Sequence, residues 1–244
     1  MKKTLYIITG CSKGLGKALV AQLIVDQQHL IIGMSRSKME GQDNFRHIAI
    51  DLGNPESLMG TFDKIFPEGD FQAVFLINNA GWIGEIASLG DLDPKGIQKI
   101  QAVNVVAPAL LMNEFVKRYR HQNGKKVVVN ISSGAAGKVI DGWSGYCSSK
   151  AALNQLSLVA EEESKLKQLG IKYYALSPGI IDTSMQEEIR SASVENFSAI
   201  EKFRSYKTQQ QLSSAEEVAG KVIYLLDHTD RFPDVLQDVR NFDR

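Results

Sequence analysis

Short apolar runs of five or six residues alternate along the chain with longer segments in which apolar positions recur at helical spacing. The runs lie at 5–9, 29–34, 45–50, 73–77, 126–131 and 171–176, with a weaker one at 235–239. Most are continuous rather than alternating, as strands are when both faces of a sheet are covered. Between them, Leu15, Ala18, Leu19 and Leu23 mark one helical face. Asn54-Pro55 and Asp93-Pro94 open two further helices, each proline standing where its missing N–H does no harm. The second of these runs to about Arg120. A fourth helix runs from near Tyr146 to Gly170, read as the glycine just past its end. Repeated β-α-β order predicts a doubly wound parallel sheet of Rossmann type, a three-layer α/β/α domain spanning 1–244. Segment 183–214 breaks the rhythm, being polar, helical in propensity and rich in Ser, Gln and Glu. Ligands of open α/β sheets bind beyond the carboxyl ends of the strands, so the segment is read as a substrate lid. A solvated helical excursion is the alternative.

Composition narrows the partners. The 28 basic and 28 acidic side chains balance, so no global field draws the chain to nucleic acid or an anionic membrane. A local phosphate site needs only one or two bases and is untouched by this balance. Cys11 and Cys147 have no CxxC spacing and read as free thiols of a cytoplasmic protein. The four histidines are scattered without ligand spacing, so no metal site is expected. The apolar stretch 5–8 after Lys2-Lys3 is shorter than the ~7–15 residues of a signal peptide. No apolar run reaches the ~18 residues of a membrane span.

The first turn, Thr9-Gly10-Cys11-Ser12-Lys13-Gly14-Leu15-Gly16, follows a strand and opens a helix. Backbone N–H groups and the helix dipole favour a pyrophosphate there. The second strand ends in Ser35-Arg36, with no acidic residue to bond ribose hydroxyls. Arg36 can instead fork onto a 2′-phosphate, Lys13 adding a second charge, which favours NADP over NAD. Tyr146 and Lys150 stand four apart at a helix start and share its face. A lysine charge ~4 Å from the phenol, at an effective dielectric of ~20, is worth about 4 kcal/mol, or ~3 pKa units. Tyr146 is therefore expected to be a general acid poised near neutrality. Ser133, just after the fifth strand, can hydrogen-bond a substrate oxygen as charge develops on it.

These features, taken in order, resemble the short-chain dehydrogenase/reductase family over essentially the whole chain. The matching positions are the TGxxxGxG turn, Asp51-Leu52, Asn78-Asn79-Ala80-Gly81, Asn104, Ser133, Tyr146-x-x-x-Lys150 and Pro178-Gly179-x-x-x-Thr183. The resemblance implies that Tyr146 donates the proton and Lys150 holds the nicotinamide ribose. It implies that Ser133 orients the carbonyl and Asn104 fixes a water in the proton relay. The dinucleotide would contact Gly10, Ser12, Lys13, Leu15, Gly16, Ser35 and Arg36. Asp51 and Leu52 would border its adenine, and Asn79, Ala80 and Gly81 its adenosine ribose. Pro178, Gly179, Ile181 and Thr183 would meet the nicotinamide end. Within the family, 125–136, 142–150 and 177–186 resemble bacterial (S)-benzoin-forming benzil reductases and, through Gly-Trp-x-x-Tyr-Cys, sepiapterin reductases. In the tail Val235–Asp243, Asp238 falls where sepiapterin reductases carry a pterin-anchoring carboxylate.

The expected activity is NADPH-dependent reduction of a ketone or α-diketone. A general short-chain alcohol dehydrogenase or ketoacyl reductase is the rival within the class. A non-catalytic NADPH-sensing protein is the rival outside it, since fold does not fix function. Trp143 and Trp82 suggest an aromatic substrate pocket. Segments 97–116 and 151–160 are apolar beyond one buried stripe, which predicts a homodimer through paired helices.

Overall fold

The computed structural model describes residues 2–242; Met1, Asp243 and Arg244 at the ends of the expected domain, and Asp243 of the tail, lie outside them. The seven runs form seven strands: β1 (Thr4–Thr9), β2 (His29–Ser35), β3 (Phe45–Ala49), β4 (Ala73–Asn78), β5 (Lys125–Ile131), β6 (Ile171–Ser177) and β7 (Leu236–Asp238). They pair in parallel in the order β3-β2-β1-β4-β5-β6-β7. The order reverses between β1 and β4, so a crevice opens beyond their carboxyl ends.

Period-two alternation explains the continuous apolar runs. Leu5 and Ile7 of β1 join Leu111, Phe115 and Tyr119 on one face of the sheet. Tyr6 and Ile8 join Leu15, Leu19, Val218 and Val222 on the other. Both sides of each central strand are thus buried, and each side is closed by a helix stripe. The first stripe belongs to α1 (Gly14–Leu23). Asn54 accepts from the Ser57 N–H at 3.0 Å to cap α2 (Pro55–Met59), which is followed by α3 (Phe62–Ile65). Asp93 caps α4 (Pro94–Gln101), with Pro94 in the first turn as expected.

Two helix boundaries differ from the sequence expectation. The helix from Pro94 to Arg120 is interrupted: a π turn at Ala102–Val106 separates α4 from α5 (Ala107–Tyr119). Such insertions are common at functional sites, and buried Asn104 sits in this one. The other long helix, α6 (Ser144–Leu166), stops before Gly170. Gln168 takes the left-handed conformation at φ 52°, its N–H donating to the Lys165 carbonyl while that of Leu169 reaches the Ser164 carbonyl. This is a Schellman end built without glycine at its left-handed position. Gly170, at φ 64°, serves the turn into β6 instead.

Segment 183–214 folds as α7 (Ser184–Arg190) and α8 (Ile200–Thr208) before α9 (Ala215–Asp227) returns to the sheet. The segment's base is held where Ile181 bridges Ser213. Among the described residues, no helix is long and apolar enough to cross a membrane.

Candidate active site

A cleft of about 800 Å³ runs across the carboxyl ends of the strands, from Arg36 after β2 to Tyr206 on α8. Its first wall is the turn after β1. Gly10 lies at φ 69° and Gly14 at φ 51°, conformations that side chains rarely adopt. A Cβ on Gly16 would collide with the Gly10 carbonyl oxygen, so the turn and the first helical turn can approach only with glycine there. Gly16 therefore shapes the wall from behind and does not line the cleft. No side chain caps α1 at Lys13. The first N–H groups of an α-helix lack intrahelical partners, and Ser12, Lys13, Gly14 and Leu15 all line the cleft. This uncapped helix start is suited to phosphate oxygens.

Thr9 joins this turn to the one after β4, a role that the motif alone did not reveal. Its hydroxyl accepts from the backbone N–H groups of Asn79 and Ala80, both at 2.9 Å. The Asn79 amide donates back to the carbonyls of Thr9 and Gly10 at 2.9 and 3.2 Å. Asn79, Ala80 and Gly81 thereby line the cleft beside Asp51 and Leu52. Pro178, Gly179, Ile181 and Thr183 line it from the end of β6.

Ser133, Tyr146 and Lys150 meet at its centre. Lys150 is buried and donates to the Ile131 carbonyl at 2.7 Å, with its Nζ 5.8 Å from the centroid of the Tyr146 ring. A Cβ on Gly81 would stand 3.4 Å from that Nζ and 3.7 Å from Asn104 Oδ1, so this turn lies directly against both side chains. Burial pushes the Tyr146 phenol up to about 12, against a smaller downward pull from a hydrogen bond with Ser133. Burial likewise pushes Lys150 down to about 8. Burial thus acts against the expected near-neutral phenol, and the hydrogen bond with Ser133 offsets only part of it.

Asn104 lies behind the wall. Its Oδ1 accepts from the Trp82 N–H at 2.9 Å, and its Nδ2 donates to the Trp82 carbonyl and to Ser149 Oγ at 2.9 and 3.0 Å. Both side-chain donors are consumed in holding the 79–82 turn against α6.

Aromatic side chains build the far end. Trp143 meets the Tyr146 ring edge-on at 5.6 Å and stacks on Phe197 at 5.2 Å, with Phe203 at 5.3 Å. Trp82, Ile83, Met185, Ile189 and Tyr206 complete an apolar surface. Asp238 does not contribute. Its carboxylate is forked by Arg240, with Nε at 2.9 Å and Nη2 at 2.5 Å from its two oxygens. Arg240, which no motif signalled, lines the cleft in its place.

Residues 4–194 match the short chain dehydrogenase family. The chain belongs to that family. This short chain dehydrogenase is 38% identical to a benzil reductase ((S)-benzoin forming) of Bacillus subtilis, over 91% of this chain and 93% of that one. It is 30% identical to the sepiapterin reductase of Bos taurus, over 94% and 91%. A solved short chain dehydrogenase/reductase of Saccharomyces cerevisiae shares the fold at a TM-score of 0.82 and 26% identity, covering 98% and 96%. The chemistry of the family is redox with a nicotinamide dinucleotide. The glycine turn, the uncapped helix start and the length of the cleft fit such a group.

Proposed function

We propose that this short chain dehydrogenase is an NADPH-dependent carbonyl reductase acting on ketones and α-diketones. The observation that carries the reading is the convergence of Ser133, Tyr146 and Lys150 between a phosphate-binding turn and an aromatic pocket. The names of the benzil and sepiapterin reductase relatives support the substrate class.

When bound, the dinucleotide supplies hydride to the carbonyl carbon. Ser133 hydrogen-bonds the carbonyl oxygen and orients it toward Tyr146. Tyr146 gives that oxygen its proton as negative charge develops, and the charge of Lys150 stabilises the phenolate left behind. Lys150 would also hold the nicotinamide ribose. Asn104 acts through the turn it holds. The α7–α8 segment works as a lid, bringing Met185, Ile189, Phe203 and Tyr206 over the substrate and excluding water. Exposed Ile97 on α4 and Val106 at the end of the π turn, with exposed Leu158 and Val159 on α6, suit pairing with a second copy in a two-fold dimer. Two free cysteines fit a cytoplasmic setting.

The cofactor preference rests on the end of β2, where Ser35, Arg36 and Ser37 line the cleft without a carboxylate among them. A charge-assisted bond from Arg36 to a 2′-phosphate is worth about 1.5–3 kcal/mol, or ~10–150-fold in favour of NADPH. Steady-state kinetics with benzil and simpler vicinal diketones test both halves. The expected result is reduction with kcat/KM higher for NADPH by that factor. No turnover of any diketone would overturn the substrate class, and parity between cofactors would overturn the reading of Arg36.

A further inference from the structure

Beneath the Ser35–Ser37 turn lies a side chain that the chemistry above does not use. His47 stands on β3 in register with Gly33 of β2. Its Nε2 lies 2.8 Å from Ser35 Oγ, and its Nδ1 accepts from the Met39 N–H at 3.4 Å. A ring nitrogen that accepts a backbone N–H carries no proton of its own, so in the neutral ring the proton sits on Nε2. Nε2 then donates to Ser35 Oγ, and Ser35 passes its single hydroxyl proton to the Ser37 carbonyl at 2.8 Å. The chain therefore runs in one direction, from His47 through Ser35 to the Ser37 carbonyl, with the Cys11 thiol against the same Ser35 hydroxyl. Burial lowers the basicity of the imidazole, favouring the neutral form the chain requires.

The two bonds from His47 reach both ends of segment 35–39 and close it around Arg36. Arg36 is exposed and has no ion pair or side-chain hydrogen bond among the described residues. Its guanidinium is left free for a ligand, while the backbone that carries it is tied to the sheet. Preorganised backbone lowers the ordering cost of a charged contact.

We propose that His47 is a positioning residue for the cofactor's 2′-phosphate, fixing the 35–39 turn so that Arg36 and Ser37 face it. The proposal rests on the reading of Arg36 as a phosphate ligand. It predicts a split that general structural support would not produce, since a nucleotide without the 2′-phosphate makes no use of the turn.

Calorimetric titration of the free protein with adenosine 2′,5′-bisphosphate and with 5′-AMP tests it without turnover. In H47A the bisphosphate is expected to bind about five- to tenfold more weakly, a change of ~1–1.4 kcal/mol, with 5′-AMP unchanged. H47N keeps an acceptor near the Nδ1 position but falls short of Ser35, so it should show the same split and decides the matter if H47A does not fold. Equal losses for both nucleotides would reduce His47 to general support and overturn the proposal. If R36A abolishes the preference for the bisphosphate while the His47 variants keep it, the proposal falls and the reading of Arg36 stands. If the wild-type protein binds the two nucleotides alike, the Arg36 reading fails and takes the proposal with it.

Discussion

At the end of the cleft assigned to the dinucleotide, the wall is largely backbone. Gly10 and Gly14 hold positive φ, the start of α1 has no side-chain cap, and Thr9 and Asn79 stitch two turns together over distances near 3 Å. At the substrate end the wall is side chain. Trp143, Phe197, Phe203 and Tyr206 form a chain of ring contacts between 5.2 and 5.6 Å, drawn from the residue before α6, the connection before α8 and α8 itself. The first construction is rigid and reads a group common to many enzymes. The second is adjustable, because ring packing tolerates changes of shape that a glycine turn does not. The contrast teaches that one end can be held fixed while the other is altered, and it can be broken experimentally.

The largest effect should come at the junction. Tyr146→Phe removes the hydroxyl proposed to donate the proton but leaves the ring that packs edge-on against Trp143. Turnover should fall by ~10²–10⁴-fold with dinucleotide affinity nearly unchanged. Single-turnover kinetics beside equilibrium binding check this. A parallel loss of affinity would show that the two ends are not separable.

That separation also explains what the sequence disclosed. All seven strands, and the glycine turn that walls one end of the cleft, were legible, because glycines, caps and strand ends act over a few residues and leave local signatures. The π turn was not, since Ala102–Val106 keeps helical periodicity and only the bonds of Asn104 to Trp82 and Ser149 disclose its function. Nor was the exchange of Asp238 for Arg240 at the cleft, which depends on an ion pair two residues apart at the sheet edge. The Tyr146–Lys150 spacing predicts a shared placement, which the structure has, and a lowered phenol, against which burial acts. Spacing fixes which groups meet, whereas burial fixes their protonation.

The next effect is intermediate and concerns pH. Lys150 is lowered by burial to about 8, so it is charged below that pH and neutral above it. Reduction should lose up to tenfold in kcat/KM per unit as pH rises above about 8, with Tyr146 still protonated. Stability should move the other way. Between about 8 and the ordinary lysine value, the unfolded chain binds more protons than the folded one, so unfolding free energy rises with pH. Lys150→Met, which removes a buried charge, should unfold at a higher temperature than wild type at pH 7 and lose that advantage by pH 10. Melting curves across this range decide it. An advantage that persists unchanged at pH 10 would mean that the buried ammonium is not what costs stability.

The smallest effect should be confined to the substrate end. Besides the stacking of Phe197 on Trp143, the connection between α7 and α8 is held to the loop before α6 by hydrogen bonds. Asp141 accepts from the Ser198 N–H at 2.7 Å and the Ser198 hydroxyl at 2.9 Å. These bonds lower the Asp141 pKa, so the latch is present above the usual carboxylate range and is lost only as pH falls through the lowered value. At neutral pH it is fully made, yet it stands in water, where such bonds are worth least. Asp141→Ala should therefore raise KM for a diketone only about two- to tenfold, leaving kcat and KM for NADPH within twofold. Gly142→Ala should exceed it. Gly142 sits at φ 73°, and an added Cβ would collide with the Asn196 carbonyl oxygen, pushing the same connection away instead of merely releasing it. If either variant shifted KM for NADPH as much as that for the diketone, the lid and the dinucleotide wall would be mechanically coupled, and the division of the cleft drawn above would not hold.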